Sequence, residues 1–486
     1  MRRLHKLAAA TGVAAAVICA TVQPAQAYTP TVKPQATTMA VSDGSTFFIG
    51  GDGKVYQTGW DVQAASGATR ATPTALAGLP SGVRAQSIAA GYHFVLVVGS
   101  DGKVYGTGVN TEGQLTDTSA DHSQHLKSTL TPLAGLPSGV SAKAVAAGYA
   151  FSLVLGSDGK VYGTGRNTTG ELTTSMPSLF NYKLAPLAGL PSGVRATAIA
   201  AGSYTTVVLA SDGHVYGTGY SFLESLTVPN SVKKLTAFSG LPVSLGVKAV
   251  AVSYANVVLL GSDGHVWVTG SNQNGQFGLG TTDQNSHPLA RMIPGIDQAV
   301  AIEAGYDNVL AVNKYGIVFV TGANYGFGGL ADLITTADAL RVAPAQPSKA
   351  LAVEVASSDS DTLVRDADGV VLGVGSNSYH QLSGTGDRSA LTVLAGQRIS
   401  AYKSPAVSGT AKVGSTLTAK NGSWSVKPTA YSYQWYRGST AISGATSATY
   451  KLTSADKGRK IKVRVKGTRT SFTSGTAYSP ATGTVG

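Results

Sequence analysis

Asp121, His122 and His125 place one carboxylate and two imidazoles within five residues. That combination can ligate zinc, but a zinc site needs further ligands on a rigid frame. The flanking residues supply none, so the stretch is expected to be a polar loop. Four carboxylates crowd a second stretch, at Asp359, Asp361, Asp366 and Asp368, and these are expected to face solvent. Asp-Gly pairs recur along the chain at a spacing that does not match a calcium loop. They are turn chemistry instead, because aspartate bonds its own backbone and glycine takes positive φ. Gly-x-Gly is abundant, yet it always leads from a strand into a loop and never into a helix that would hold a phosphate. No serine sits in a nucleophile elbow. The sequence therefore predicts no catalytic residue, no cofactor and no metal, and a chain that is not an enzyme.

One charged row has a clear geometry. Residues 460–466 read Lys-Ile-Lys-Val-Arg-Val-Lys. In a strand Ile461, Val463 and Val465 would face a core while Lys460, Lys462, Arg464 and Lys466 line the other face. With Lys457 and Arg459 beside them, these cations form a candidate polyanion-binding surface for cell-envelope polymers, acidic polysaccharide or anionic lipid. The alternative is a face that only solubilises the chain or protects a sheet edge. The formal net charge of +12 belongs to this part of the chain. Residues 400–486 hold 13 basic side chains and one acid, Asp456. Residues 1–399 hold 24 of each sign, of which Arg2, Arg3 and Lys6 precede residue 28, so 28–399 carries 21 − 24 = −3. Such asymmetry points to different partners for the two parts.

These residues are positioned by a repeat. Ser100–Gly108 reads SDGKVYGTG, with close copies from Ser157, Ser211 and Ser262, a looser one from Gly51, and worn ones from Lys314 and Ala367. The Asp position recurs at 52, 101, 158, 212, 263, 315 and 368, which is 316 residues over six intervals, or about 53 per repeat. A fixed period of that length means a solenoid or propeller. Within one repeat, Ser87–Ala90 and Phe94–Val98 read as short strands. Gly99–Gly102 is a turn, Lys103–Thr107 returns, and Asn110–Leu115 opens a longer loop. Charged residues are only 13% and glycines number 60, which fits an all-β chain rich in tight turns.

The stretches Ile88–Leu115, Val145–Leu172 and Val250–Gly280 carry an apolar strand, Ala-Gly, a second apolar strand, Asp-Gly-x-Val-Tyr-x-x-Gly and Asn-x-x-Gly-Gln-Leu, with local substitutions. This pattern resembles the regulator of chromosome condensation repeat. The resemblance implies a seven-bladed β-propeller over 39–399. Thr107, Thr164, Thr218, Thr269 and Thr321 stand where many members have tryptophan. Residues 400–486 hold Trp424, Tyr433–Tyr436 and Asp456–Gly458 among short strands and turns. They resemble the immunoglobulin-like modules of secreted and surface proteins of high-GC Gram-positive bacteria, which implies a small β-sandwich with Trp435 in its core and no cysteine pair.

At the start, Arg2, Arg3 and Lys6 precede an apolar run from Leu7 to Ala20, and Ala25-Gln26-Ala27 is a small-x-small site. This is the pattern of a secretory leader over 1–27, followed by a spacer at 28–38. The only cysteine, Cys19, lies inside the leader, so disulfides and thiolate chemistry are not expected in a mature chain. The expected function is that of a secreted, non-enzymatic binding or scaffold protein, possessing a protein partner of unidentified class. Tyr182, Tyr220, Phe222, Phe277, Tyr325 and Phe327 in the long connections are candidate anchors, or else they pack within their own loops. The resemblance also implies a concrete version, inhibition of a secreted enzyme, because one secreted member inhibits β-lactamases by contact. A polysaccharide hydrolase or lyase is the alternative. Guanine-nucleotide exchange, the role of nuclear members, does not fit a secreted chain, and no nucleic-acid partner is expected.

Overall fold

A computed structural model describes the chain apart from residues 1–37, 43, 65–66, 120, 174–178, 220–233, 239–240, 242–244, 324–340, 343–350, 359–360, 385–386, 395–396, 398, 400 and 471. The leader, all but the last residue of the spacer, and Tyr220, Phe222, Tyr325, Phe327 and Asp359 thus lie outside the described residues. Seven four-stranded antiparallel sheets follow one another from Met39 to Val393. Each begins with an inner strand: Met39–Ser42, Ala85–Gly91, Ala142–Ala147, Ala196–Ala201, Val247–Val252, Ala299–Ala304 and Ala352–Ser357. Each inner strand contacts the next, and the last contacts the first, so the seven sheets close into a ring. Closure removes the sheet edges that a lone blade would expose.

The second strand of each blade shows why the sequence folds this way. Phe94–Gly99, Phe151–Gly156 and Asn308–Asn313 are buried along their whole length. A neighbouring blade covers each of their two faces, so they read as unbroken apolar runs and not as an alternation. The Asp-Gly turns are clasps. Asp101 Oδ1 accepts the Lys103 N–H at 3.2 Å and Oδ2 accepts the Tyr105 hydroxyl at 2.7 Å. Asp52, Asp158 and Asp212 hold Tyr56, Tyr162 and Tyr216 at the same 2.7 Å. Burial and then the carboxylate push the Tyr105, Tyr162 and Tyr216 phenols up to about 12. The repeated acids are therefore occupied by turns, as their spacing implies.

Thr107, Thr164, Thr218, Thr269 and Thr321 are buried, and three of them donate across to the neighbouring blade. Thr164, Thr218 and Thr321 donate to Gly113 O, Gly170 O and Gln276 O in the preceding blade, at 2.9, 2.8 and 2.6 Å. Thr58 closes the ring onto Gln381 O at 2.6 Å. The second latch is Glu354, which accepts Thr38 N–H at 2.7 Å and Met39 N–H at 3.1 Å and pairs with Arg365 at 2.7 Å.

After the ring, besides a two-stranded pairing of Ala401–Lys403 with Ser423–Trp424, the chain forms two larger antiparallel sheets. One has three strands, Ala406–Ser408, Thr416–Lys420 and Thr449–Lys451. The other has four, in the order Thr440–Ala441, Ala430–Arg437, Ile461–Thr468, Gly475–Tyr478. Leu417, Trp435, Leu452, Ile461, Val463 and Val465 share one buried cluster, which runs on into Val364, Leu372 and Val374 of the seventh blade. Trp435 is fully buried, as expected. Asp368 joins the two parts, pairing with Lys427 at 3.5 Å and Arg469 at 3.4 Å.

Candidate binding faces

The loop after the third strand is built alike in four blades. Asn110 Oδ1 accepts the Leu115 N–H at 2.7 Å, and Asn167 with Leu172, Asn272 with Phe277 and Asn377 with Leu382 repeat the bond at 2.8, 3.1 and 2.7 Å. The residue five places after the asparagine plugs the core. Phe277 is that plug in its blade and is 1% exposed, with its ring edge-on to His287. The expectation that it anchors a partner is thus corrected: it holds the place of the leucine in Asn-x-x-Gly-Gln-Leu, a register already visible in the repeat. Tyr182 is half-buried and stacks face to face on His122, ring centroids 3.6 Å apart. It braces the connection of the preceding blade, whose Asp117 N–H its carbonyl also accepts at 2.8 Å.

The acid clusters are equally structural. Asp121 accepts bonds from the Ser123 backbone and hydroxyl at 3.3 and 2.8 Å. Among the described residues no three His, Cys, Asp or Glu side chains gather as a metal site. Asp361 and Asp366 are buried, which corrects the expectation that their stretch faces water. Asp366 caps the seventh Asp-Gly turn through the Val370 N–H at 2.9 Å, and Asp361 accepts the Ser358 hydroxyl at 2.6 Å.

The sequence reading missed the most extensive feature. In blades two to six the turn from first to second strand carries a tyrosine: Tyr92, Tyr149, Tyr204, Tyr254 and Tyr306. Consecutive rings touch, with centroids 4.6, 5.9, 6.5 and 5.1 Å apart. His93, Trp60 and Tyr379 extend the line at 4.1, 5.0 and 5.9 Å. The belt thus passes through all seven blades. It lies at the end of the ring that carries the long connections, since Val109 and Arg166, where those connections begin, donate to His93 O and Ala150 O at 2.9 Å each. Tyr92, Tyr149, Tyr306 and Tyr379 are exposed. The Arg166 guanidinium lies 5.0 Å from the centre of the Tyr204 ring, with Glu112 and Glu171 each 3.9 Å from its Nε. The sequence signal was the recurring Gly-Tyr and Ser-Tyr near the end of the inner strand in blades two to six.

Inside the belt the inner strands enclose a channel of about 600 Å³. Its walls are mostly alanine and valine, with Lys248, Glu303 and Glu354 among them. The Glu303 carboxyl is pushed up to about 8, first by desolvation and then by the Glu354 carboxylate. Glu354, the other carboxylate among the described residues lining the channel, is itself held by Thr38, Met39 and Arg365.

These geometries are those of a known repeat. Signatures of the Regulator of chromosome condensation (RCC1) repeat match residues 85–114, 142–171, 196–222 and 263–312. Human WBSCR16 superposes with a TM-score of 0.59 at 19% identity, covering 68% of this chain and 87% of that one. The structure of Kap60 bound to yeast RCC1 (Prp20) does so at 0.58 and 16%, covering 77% and 91%. The chain carries RCC1 repeats folded as a β-propeller. Among curated relatives, the Ultraviolet-B receptor UVR8 of Arabidopsis thaliana is 26% identical over 252 residues, 50% of this chain and 53% of its own. The E3 ubiquitin-protein ligase HERC2 of Mus musculus is 25% identical over 238 residues, 48% of this chain and 5% of its own. The chain thus matches about half the length of the first relative and a small fraction of the other. The Saccharomyces cerevisiae Prp20p structure, TM-score 0.54 at 17% identity over 71% of this chain and 83% of that one, is described with binding to Gsp1p and histones.

The basic row follows the expected alternation. Ile461, Val463 and Val465 are buried, Lys462 and Arg464 are half-exposed, and Lys457, Arg459, Lys460 and Lys466 are exposed. Ile461–Thr468 lies between two partner strands in its sheet, so protecting an edge is not what the cations do there. The one acid of this part, Asp456, is buried and accepts from Arg437, Tyr450 and Thr453 at 2.8 Å each. The outer surface is left without a negative side chain.

Proposed function

We propose that the chain is a secreted, non-enzymatic binding protein. Its RCC1-type propeller, residues 39–399, docks a protein partner on the face that bears the aromatic belt. The C-terminal module, 400–486, is read as immunoglobulin-like and attaches the protein to an anionic cell-envelope surface. The belt carries this reading. Interfaces favour rigid tyrosines and arginine, and here five tyrosines and Arg166 adjoin one channel mouth. Kap60, Gsp1p and histones as partners of related propellers support protein docking as the general role. Inhibition of a secreted enzyme is one form of the same reading.

The test compares the full mature chain with a Tyr92→Ser/Tyr149→Ser/Tyr306→Ser variant as baits for the producing organism's culture fluid and envelope. A discrete protein retained by the first and lost from the second, with melting temperatures unchanged, supports docking at the belt. Equal retention by both refutes it.

A further inference from the structure

The outer face of the four-stranded C-terminal sheet is more than a row of charge. Cross-strand pairing sets Tyr436 opposite Lys462, Arg464 opposite both Gln434 and Tyr478, and Lys466 opposite Ser432 and Thr476. Successive cations on this face are about 6.6–6.8 Å apart along the strand. The two phenol rings meet edge to face at 5.6 Å across the strand that separates them. Lys462 Nζ stands 5.2 Å from the Tyr478 ring centre and 5.9 Å from that of Tyr436. The Arg464 guanidinium stands 6.0 Å from the Tyr436 ring centre. Ring faces carry negative quadrupole charge, so these contacts hold Lys462 and Arg464 in place over the sheet. The face combines fixed cations, hydroxyl groups and two aromatic rings, and it has no aliphatic wedge for entering a lipid layer.

We propose that this face binds a linear carboxylate-bearing polysaccharide. Lys462, Arg464 and Lys466 pair with successive carboxylates. The Tyr436 and Tyr478 rings rest against the C–H faces of the sugars, whose hydroxyls meet Ser432, Thr476 and the phenols. Asp456, the one acid of residues 400–486, does not occupy the site, because it is buried beneath the sheet. This names a ligand class for the attachment reading above and is independent of protein docking at the propeller.

The test titrates the full mature chain with polygalacturonate, with neutral dextran, with oligo-dT and with phosphatidylglycerol vesicles, each at low and high salt. Polygalacturonate should bind with salt-dependent affinity, and dextran, oligo-dT and vesicles at least tenfold more weakly. Tyr478→Ala, which leaves the charge untouched, should weaken polygalacturonate about tenfold, while Tyr478→Phe keeps most of the affinity. Lys462→Gln/Arg464→Gln should abolish binding. Unchanged melting temperatures in every variant show the fold is intact. Equal affinity for vesicles or oligo-dT, or no effect of Tyr478→Ala, would overturn the inference as mere polyelectrolyte attraction. Salt-sensitive retention on native envelopes with no affinity for polygalacturonate would also overturn it, while leaving attachment itself standing.

Discussion

Replacing Glu303 by alanine should make the protein less sensitive to alkali. Glu303 lies on the inner strand Ala299–Ala304, at the place where blades two to five and seven have Ala89, Ala146, Ala200, Ala251 and Ala356. Alanine therefore fits the channel wall without a cavity. The folded carboxyl titrates at about 8 against an ordinary 4.5. Between those values the folded chain holds a proton that the unfolded chain releases, so stability falls as pH rises through the window. At 1.36 kcal/mol per pH unit the loss has a ceiling of about 4.8 kcal/mol. The channel is open to water at its mouth and the side chain is only half-buried, so screening reduces this to about 1–2 kcal/mol. The assay is urea unfolding of both proteins from pH 4.5 to 9. The variant should match the wild type at pH 4.5 and exceed it by that amount above pH 8. Differences that stay constant across the range would refute the argument, because every other titrating group is shared.

Phe277→Ala should cost about 3–5 kcal/mol, as for a fully buried ring, whereas Tyr306→Ala on the belt should change stability by less than about 0.5 kcal/mol; thermal melts separate the two. Arg437→Ala strands the buried Asp456 charge and should destabilise the C-terminal sheets by about 3 kcal/mol, read from Trp435 fluorescence. Burial raises the Asp456 carboxyl, but bonds from Thr453, Tyr450 and Arg437 outweigh it and hold the group below its usual range. Its stabilisation is present above the ordinary aspartate value and is lost as pH falls through the lower folded one, so acid unfolding of these sheets should begin at higher pH in Arg437→Ala. Tyr105, Tyr162 and Tyr216, at about 12, should stay silent in an ultraviolet titration up to pH 11. A Cβ at Gly369 would fall 1.8 Å from Ser425 O at a φ of +82°, so Gly369→Ala should part the ring from the C-terminal sheets and speed limited proteolysis between them.

The fold was legible because the repeat writes each blade several times. The Asp-Gly-x-Val-Tyr hairpin needs its aspartate for the turn and its tyrosine for the clasp, so both recur in blades one to four and set the period. The alternation from Lys460 to Lys466 was legible for a similar reason: a strand of period two with one buried face can be read only one way. The sites were less legible. Phe277 looked like an exposed aromatic in a long loop, and only its register five residues after Asn272 marks it as a core plug. Asp361 and Asp366 looked like a solvated cluster because burial of an acid depends on partners such as the Val370 backbone, whose approach no local pattern announces. The belt was hidden by distance. Tyr92 and Tyr306 are more than two hundred residues apart in sequence, and their rings join one line only once the ring has closed.

Many acids of the described residues are committed within the fold. Asp52, Asp101, Asp158 and Asp212 are held by tyrosines, Asp366 by a turn, Asp368 by two cations of the C-terminal part, Glu354 by the ring closure and Asp456 by an arginine beneath its sheet. General acid–base chemistry needs at least one such group aimed at a substrate. These eight are spent on turns and joints. What the fold leaves uncommitted at its surfaces is of another kind: exposed rings along one end of the propeller, and rings with cations on the outer sheet. Both are chemistries of holding on to a partner, and both can be probed by the binding experiments proposed above.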